Sequence, residues 1–178
     1  IDRNVASFRR KTSIVYNCPE DIGYSRKNLK ESTEEPLRVL ASGHLSRDRG
    51  VGLLLDALDE VHGVVVIMAG RIVDDDLRER AQRHPRVTFE GWLDQKAFWR
   101  LCQDVDILFS MYEPQVEINV RAASNKWFDA MMAGKPVLAN AELEKADWLR
   151  QVDTGYLVSY GSVCELAKTL EHVSDHRA

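Results

Sequence analysis

The chain has few cysteines and no excess of basic residues. Cys18, Cys102 and Cys164 are widely separated within 178 residues. Their spacing matches neither a metal site nor a redox pair, which favours reduced thiols in a cytosolic protein. The net charge of -4 excludes a general basic surface for nucleic acid.

Long apolar runs are also missing. The longest strongly apolar run covers residues 64–69, whereas a helix needs about 20 residues to span a bilayer. No signal-peptide pattern is present. The first residue is Ile1 rather than Met, so we expect a part of a longer protein. A hydrophobic content of 44% predicts a soluble domain with its own core.

Short apolar runs alternate with helical patterns along the chain. The runs are apolar throughout, which indicates strands buried on both faces. Alternation with helices predicts βαβ units. The fold class is therefore α/β, a doubly wound, Rossmann-like parallel sheet of about six strands. Predicted strands cover residues 13–16, 37–42, 64–69, 87–90, 107–111, 136–139 and 156–159, with loops at 17–36 and 112–123.

The loop at residues 43–50 is a candidate phosphate site. Two glycines, Gly43 and Gly50, bracket a basic turn that opens a helix. A helix N-terminus attracts anions, Arg49 can add a charge-assisted contact, and His44 another hydrogen bond. The alternative is a solvated loop with unrelated charges. The loop is neither a Walker A motif nor Gly-x-Gly-x-x-Gly, which disfavours ordinary ATPases and dehydrogenases.

Residues 124–140 carry the most informative pattern: a polar helix start, an amphipathic helix, a glycine stop and a proline-led apolar run. Ser124 is a good N-cap. Lys126 and Asp129 are three residues apart and share a helix face, so together they could bind a phosphate and a ribose. The alternative is a surface ion pair worth about 0.2–0.5 kcal/mol.

Several aromatic residues permit two interpretations. A nucleobase could lie against Trp92 and Leu93 or bond to their backbone, but a core position is favoured for Trp92. Packing within the core is the simpler role for four residues of the later helix, which are Trp127, Phe128, Met131 and Met132.

Taken in order, these elements resemble the C-terminal, donor-binding half of group 1 (family 4-like) glycosyltransferases, which have the two-domain GT-B fold. The resemblance covers about residues 13–173. Its most specific part is Asn125-Lys126-Trp127-Phe128-Asp129-Ala130-Met131-Met132-Ala133-Gly134-Lys135-Pro136-Val137. The other matching segments are residues 15–17, 43–58, 87–91 and 154–158.

The resemblance implies a role in binding a nucleotide sugar for seven residues: Gly43, His44, Arg49, Leu93, Asn125, Lys126 and Asp129. Arg49 and Lys126 would lie near the diphosphate, and His44 stands where many members have arginine. Asp129 stands where a glutamate usually holds the ribose. The backbone of Leu93 would lie beside the base.

The sequence departs from the family pattern at three places. Many members have two glutamates separated by seven residues, but Arg121 and Asp129 occupy those positions here. Glu113 and Glu117 lie in the preceding loop at other spacings. The glycine pair usual after the proline-led strand is replaced by residues 140–142, Asn-Ala-Glu. The sugar and the base of the donor therefore stay open.

The resemblance also implies a larger enzyme. We expect residues 1–12 to be the end of an N-terminal acceptor domain and residues 13–178 to form the donor domain. The whole enzyme would transfer a hexose, without a metal or cofactor, to a glycan or lipid-linked acceptor in polysaccharide biosynthesis. We expect a cytoplasmic location, with any peripheral membrane association through the other half. The fragment alone would be inactive.

Two alternatives stay open. A nucleotide-sugar epimerase on the same fold would also take its catalytic groups from the other half. A non-catalytic interaction module could have kept the fold and lost the chemistry, and Arg121 gives that interpretation some support. Failure to bind any nucleoside diphosphate would favour the module.

Overall fold

Six parallel strands form one sheet in a computed structural model that describes residues 35–121 and 123–176. The strand order is β3-β2-β1-β4-β5-β6, which confirms the doubly wound α/β fold. The predicted strand at 13–16, the end of the acceptor domain at 1–12 and nearly all of the predicted loop at 17–36 lie outside the described residues. The strands are β1 Leu37–Leu45, β2 Val64–Ile72, β3 Val87–Gly91, β4 Ile107–Ser110, β5 Val137–Asn140 and β6 Gly155–Val158.

Helices cover both faces of the sheet. A short 3-10 turn at Arg47–Arg49 precedes the first of them. The predicted loop at 112–123 contains a short helix, which corrects that prediction. The helices are α1 Val51–Glu60, α2 Asp75–Arg83, α3 Gln95–Asp104, α4 Glu117–Val120, α5 Asn125–Ala133, α6 Ala146–Gln151 and α7 Val163–Asp175.

The core has two layers, one on each side of the sheet. Helices α1, α2 and α7 bury Leu54, Leu77 and Leu170 against one face. Helices α3, α5 and α6 bury Trp99, Trp127 and others against the opposite face. Neighbouring residues of a central strand therefore enter different layers and are both buried, which explains why the strands lack a polar alternation.

Strands β1 and β2 are longer than predicted because two glycines do not end them. Each strand continues two residues past its glycine, and Gly43 pairs with Gly70 in the ladder. A Cβ added to Gly70 would lie 2.1 Å from the carbonyl oxygen of Gly43. Glycine is therefore required at this position for the two backbones to approach closely.

The order of the strands reverses between β1 and β4: β2 and β3 follow on one side of this boundary, and β5 and β6 on the other. The loops that follow these neighbouring strands diverge toward opposite faces, and such a switch point is the usual ligand crevice in open α/β sheets. Helix α1 begins after β1 on one face, and α5 begins beyond β4 on the other. The fold thus brings two helix N-termini to the same edge.

Candidate functional site

Lys126 reaches across the crevice from α5 to β1. Its Nζ lies 3.8 Å from the position that a Cβ on Gly43 would occupy. The first turn of α5 therefore places an ammonium group near the exposed backbone of Gly43 in β1. This contact joins the two segments that the sequence singled out separately.

Ser124 fixes the start of α5 beside β4. The buried Ser124 Oγ accepts a hydrogen bond from the Lys126 backbone N–H at 3.3 Å, which confirms the predicted N-cap. The hydroxyls of Ser110 and Tyr112 approach the same oxygen at 3.0 and 2.9 Å. These contacts hold the helix start, and with it Lys126, in a fixed position relative to the switch point.

Arg49 lies over the ring of the same tyrosine. Its guanidinium carbon is 4.1 Å from the centre of the Tyr112 ring, a cation–π contact. The side chain is 31% exposed and its Nε lies 3.5 Å from Asp48 Oδ2. The backbone N–H of Glu113 donates to the Asp48 carbonyl at 2.7 Å, which ties the loop after β1 to the loop after β4. Tyr112 therefore links Arg49 to the cap that positions Lys126.

Asp129 lies one turn beyond Lys126 and is partly buried between α5 and α3. Burial raises the pKa of this carboxyl from 3.8 to about 6, and the Lys126 charge partly offsets the rise. The carboxylate also lies near Cys102, whose pKa is raised to about 12, mainly by burial and then by Asp129. A carboxyl with a perturbed pKa beside a cation at a crevice is typical of functional sites.

The other predicted site residues lie along the rim. His44 is exposed near the end of β1, paired in the ladder with Arg71 of β2. Asn125 is the exposed first residue of α5. Leu93 is partly buried against the second core layer. It follows β3, two strands away from Gly43. The structure therefore groups Gly43, Lys126, Arg49 and Asp129 around the crevice, with His44 and Leu93 farther along the edge.

Trp92 contradicts the core position favoured from the sequence. Its side chain is 83% exposed. Gly91 adopts a positive φ of 64° just before it, and the next residue, Leu93, turns inward instead. The packing role expected of Trp127 is confirmed, because that side chain is fully buried.

Sequence reasoning missed a polar network behind the crevice. The buried Asn140 accepts from the Tyr112 N–H and donates to Glu142, each at 2.9 Å. Glu142 accepts from the Tyr160 N–H at 2.8 Å, and the Tyr160 hydroxyl donates to the Arg47 carbonyl at 3.0 Å. A polar residue ending an otherwise apolar strand could have indicated Asn140. No sequence signal indicated Tyr160.

Burial, with the nearby Glu113 carboxylate, raises the pKa of Tyr160 well above its usual range. The phenol therefore stays a neutral hydrogen-bond donor at ordinary pH. Together with Asn140, it connects the loops that follow β1, β4, β5 and β6. The walls of the crevice are thus joined to one another by hydrogen bonds.

Arg121 occupies the place where the family pattern has a glutamate, and it is engaged with acids. Its guanidinium lies 3.0 Å from Glu117 and 3.7 Å from Glu144, with the side chain 64% exposed.

No group of three or more acidic, histidine or cysteine side chains is arranged for a metal ion among residues 35–121 and 123–176. The same residues contain no helix long and apolar enough to cross a membrane.

The family follows from a match over most of the chain. A family model described as glycosyl transferases group 1 matches residues 36–176. This chain belongs to the group 1 glycosyl transferases. No sequence among curated proteins matches it at a significant level.

Solved glycosyltransferases have the same fold as this group 1 domain. HepE from Anabaena, solved with UDP and glucose, superimposes with a TM-score of 0.63 at 21% identity, over 81% of this chain and 40% of HepE. The lipopolysaccharide outer core galactosyltransferase WaaB, in its apo form, gives 0.64 at 20% identity, over 92% of this chain and 46% of WaaB. WaaG, a glycosyltransferase involved in lipopolysaccharide biosynthesis, gives 0.58 at 19% identity, over 80% and 44%.

These identities establish a shared fold. The chain spans less than half the length of each of these three neighbours. The activity of a whole enzyme therefore stays a proposal.

Proposed function

We propose that this chain is the donor-binding half of a glycosyltransferase and holds a nucleotide-diphospho-sugar in the crevice beyond β1 and β4. The observation that carries the proposal is the approach of Lys126 Nζ to Gly43. A cation poised over bare backbone at a switch point suits an anionic group that also needs backbone contacts. HepE was solved with UDP and with UDP-glucose on the same fold.

Different site residues bind different parts of the donor. Arg49, which stacks on Tyr112, and Lys126 contact the diphosphate, with His44 and the Gly43 backbone beside them. Asp129 accepts from the ribose hydroxyls. Asn125 contributes at the exposed helix start, and the backbone of Leu93 lies beside the base.

The reaction would be transfer of the sugar with release of the nucleoside diphosphate. Negative charge grows on the leaving diphosphate as the glycosidic bond breaks. Two fixed cations, Arg49 and Lys126, together with the N-termini of α1 and α5, stabilise that charge without reorganisation. We propose that this electrostatic role needs no metal ion. The acceptor, a glycan or lipid-linked group, and any catalytic base come from another half, so this chain alone binds without turnover.

The test is calorimetric titration with UDP, GDP and ADP. Arg49→Ala and Lys126→Ala should each weaken the diphosphate that binds by about tenfold or more, because each removes a charge-assisted contact worth about 1.5–3 kcal/mol. Matched controls remove an exposed cation elsewhere: Arg83→Ala on α2 and Lys168→Ala on α7. These controls should bind as the wild type does.

Two outcomes would contradict the proposal. One is equal weakening by the control variants, which would indicate a general effect of charge. The other is the absence of binding to any of the three nucleotides at millimolar concentration, both in this chain and in a longer protein that contains the other half. That second outcome would favour a non-catalytic module.

A further inference from the structure

Arg71 and His44 lie side by side near the carboxyl ends of β2 and β1. Gly43 pairs with Gly70 in the parallel ladder, and the next pair along it is His44 with Arg71. Both of these side chains are exposed. Adjacent strands are about 4.8 Å apart, so the two side chains are neighbours on the edge of the sheet that forms the crevice.

The alternation of side chains along each strand shows which face His44 and Arg71 occupy. Successive residues of a strand point to opposite faces of the sheet. Leu45 and Ile72, which follow them directly, belong to the core layer of α1 and α7. His44 and Arg71 therefore point to the other face, which α3, α5 and α6 cover. Lys126 belongs to the first turn of α5, so these three basic side chains come from the same side of the sheet.

The charge of Arg71 is not neutralised within the described part of the chain. Its side chain forms no hydrogen bond or ion pair with residues 35–121 or 123–176, whereas Arg47 and Arg78 are paired with acids. Like charges gathered at one crevice attract anions to it. The planar fork of N–H donors on arginine also matches the oxygens of a phosphate.

Arg71 lies between the two ends expected of a bound nucleotide. Its strand, β2, stands between β1 and β3 in the sheet. Lys126 approaches β1 at Gly43, where the proposed function puts the diphosphate, and β3 leads to Leu93, where it puts the base. A side chain on β2 therefore meets the part of the nucleotide that joins them, which is the ribose and the phosphate attached to it. Of these two groups, only the phosphate is an anion.

We propose that Arg71 binds the phosphate that carries the nucleoside, while Lys126 and Arg49 bind the phosphate that carries the sugar. This inference rests on the proposed function. The phosphate next to the nucleoside is present in the donor and in the released nucleoside diphosphate. Arg71 therefore contributes affinity for both, whereas Lys126 and Arg49 lie where negative charge grows as the sugar leaves.

The first experiment titrates Arg71→Gln and Arg71→Glu with whichever of UDP, GDP and ADP the wild type binds. Loss of a charge-assisted contact should weaken binding by about tenfold or more in Arg71→Gln. Like-charge repulsion should weaken it further in Arg71→Glu. The matched control is Arg100→Gln, which removes an exposed arginine more than one turn into α3.

The same titrations at high salt separate a direct contact from a general effect of charge. At about 1 M salt the screening length falls to about 3 Å, so an arginine that acts only at long range no longer matters. Arg71→Gln should still bind more weakly than Arg100→Gln under these conditions. Its Tm without ligand should match that of the wild type, because the side chain is exposed.

Phosphorus NMR of the bound nucleotide identifies the phosphate that Arg71 contacts. In a nucleoside diphosphate the α-phosphorus carries the nucleoside, and the β-phosphorus is the one that carries the sugar in the donor. At saturating nucleotide, Arg71→Gln should change the resonance of the α-phosphorus more than that of the β-phosphorus. Lys126→Ala should show the reverse.

The outcomes separate the two proposals. If the wild type binds a nucleoside diphosphate and Arg71→Gln binds it no more weakly than Arg100→Gln does, the role of Arg71 is wrong and the donor site stands. A change confined to the β-phosphorus in Arg71→Gln would also overturn the inference. If neither this chain nor a longer protein containing the other half binds any nucleoside diphosphate, both proposals fail.

Discussion

Asp129 faces two opposing requirements. A ribose-binding carboxylate should be charged, whereas burial between α3 and α5 favours the neutral acid and raises its pKa to about 6. Lys126 is the neighbouring cation that restores part of the charged form. The residue is therefore ionised at neutral pH but at a cost to the folded state, a pattern found where function and stability conflict.

Asp129→Asn should raise stability and lower affinity. Between about pH 4 and 6 the folded protein binds more protons at Asp129 than the unfolded chain, so its contribution to stability falls as pH rises through that window. At pH 7 the variant should be more stable by on the order of 1 kcal/mol after solvent screening. The difference should vanish near pH 4. Urea unfolding at both pH values measures it.

The affinity for a nucleotide sugar should change with pH in the opposite direction to the contribution of Asp129 to stability. Wild-type affinity for a nucleotide sugar should increase from pH 5 to pH 7.5 as Asp129 ionises, and Asp129→Asn should flatten this dependence. A nucleotide sugar is preferable to UDP here, because its diphosphate has no ionisation near pH 6. His44→Gln is the control for the imidazole. A variant that loses stability at pH 7, or that keeps the full pH dependence, would contradict the assignment.

Among the elements, the β1–β2 pair depends most on a single residue. Gly70 has a φ of 130°, and a Cβ there would lie 2.1 Å from the Gly43 carbonyl oxygen, which leaves no room for a side chain. Gly70→Ala should destabilise the domain by about 2–5 kcal/mol, from backbone strain and overpacking together. Urea unfolding of the purified variant measures the change in the free energy of unfolding.

Gly134→Ala provides the control. This glycine ends α5 with a φ of 65°, but a Cβ there would meet nothing within 4 Å. It should therefore cost only about 1–2 kcal/mol, from the left-handed conformation alone. If both variants lose the same stability, the close approach of β1 and β2 contributes nothing and the interpretation of Gly70 is wrong.

The sequence predicted the helices and strands well where neighbouring residues along the chain determine the structure. Ser124 caps its helix through a side-chain hydrogen bond as expected, and uniform apolar runs became central strands. The predicted carboxyl ends of β1 and β2 were wrong because Gly43 and Gly70 do not end their strands. The two glycines pair with each other across the sheet, where the two backbones approach closely. A pairing of that kind cannot be read from either segment alone.

The sequence indicated candidate site residues but not their arrangement. The spacing of Lys126 and Asp129 indicated a shared helix face, and the structure places them together. Tyr112 and Tyr160 were not found, because their partners come from other loops. Trp92 was assigned to the core because large aromatics usually pack there, whereas the turn at Gly91 sends its side chain into solvent.

The whole domain should unfold as one cooperative unit, so a bound ligand should stabilise all of it. The polar network and the two core layers join all six strands, so we expect one thermal transition. A nucleoside diphosphate at 100 times its Kd should add about 2.7 kcal/mol to the free energy of unfolding, a rise in Tm of about 5–11 °C.

Differential scanning fluorimetry with and without ligand measures this shift. Arg49→Ala should keep a Tm close to that of the wild type without ligand, because the side chain is partly exposed and its ion pair with Asp48 is weak. At the same ligand concentration, a tenfold loss of affinity should reduce the shift in Tm to about half of the wild-type value. Two separate transitions, of which only one moves with ligand, would contradict a single unit.

The strand order also divides the domain into two consecutive blocks, β1 to β3 and β4 to β6, and Lys126 meets Gly43 only across their boundary. During synthesis the first block, residues 37–91, emerges complete while the second is still being made, and its contacts are local in sequence. The crevice exists only after the second block has docked. Nucleotide binding would therefore report the final step of folding, and a chain stalled before α5 would have most of one core layer and no site.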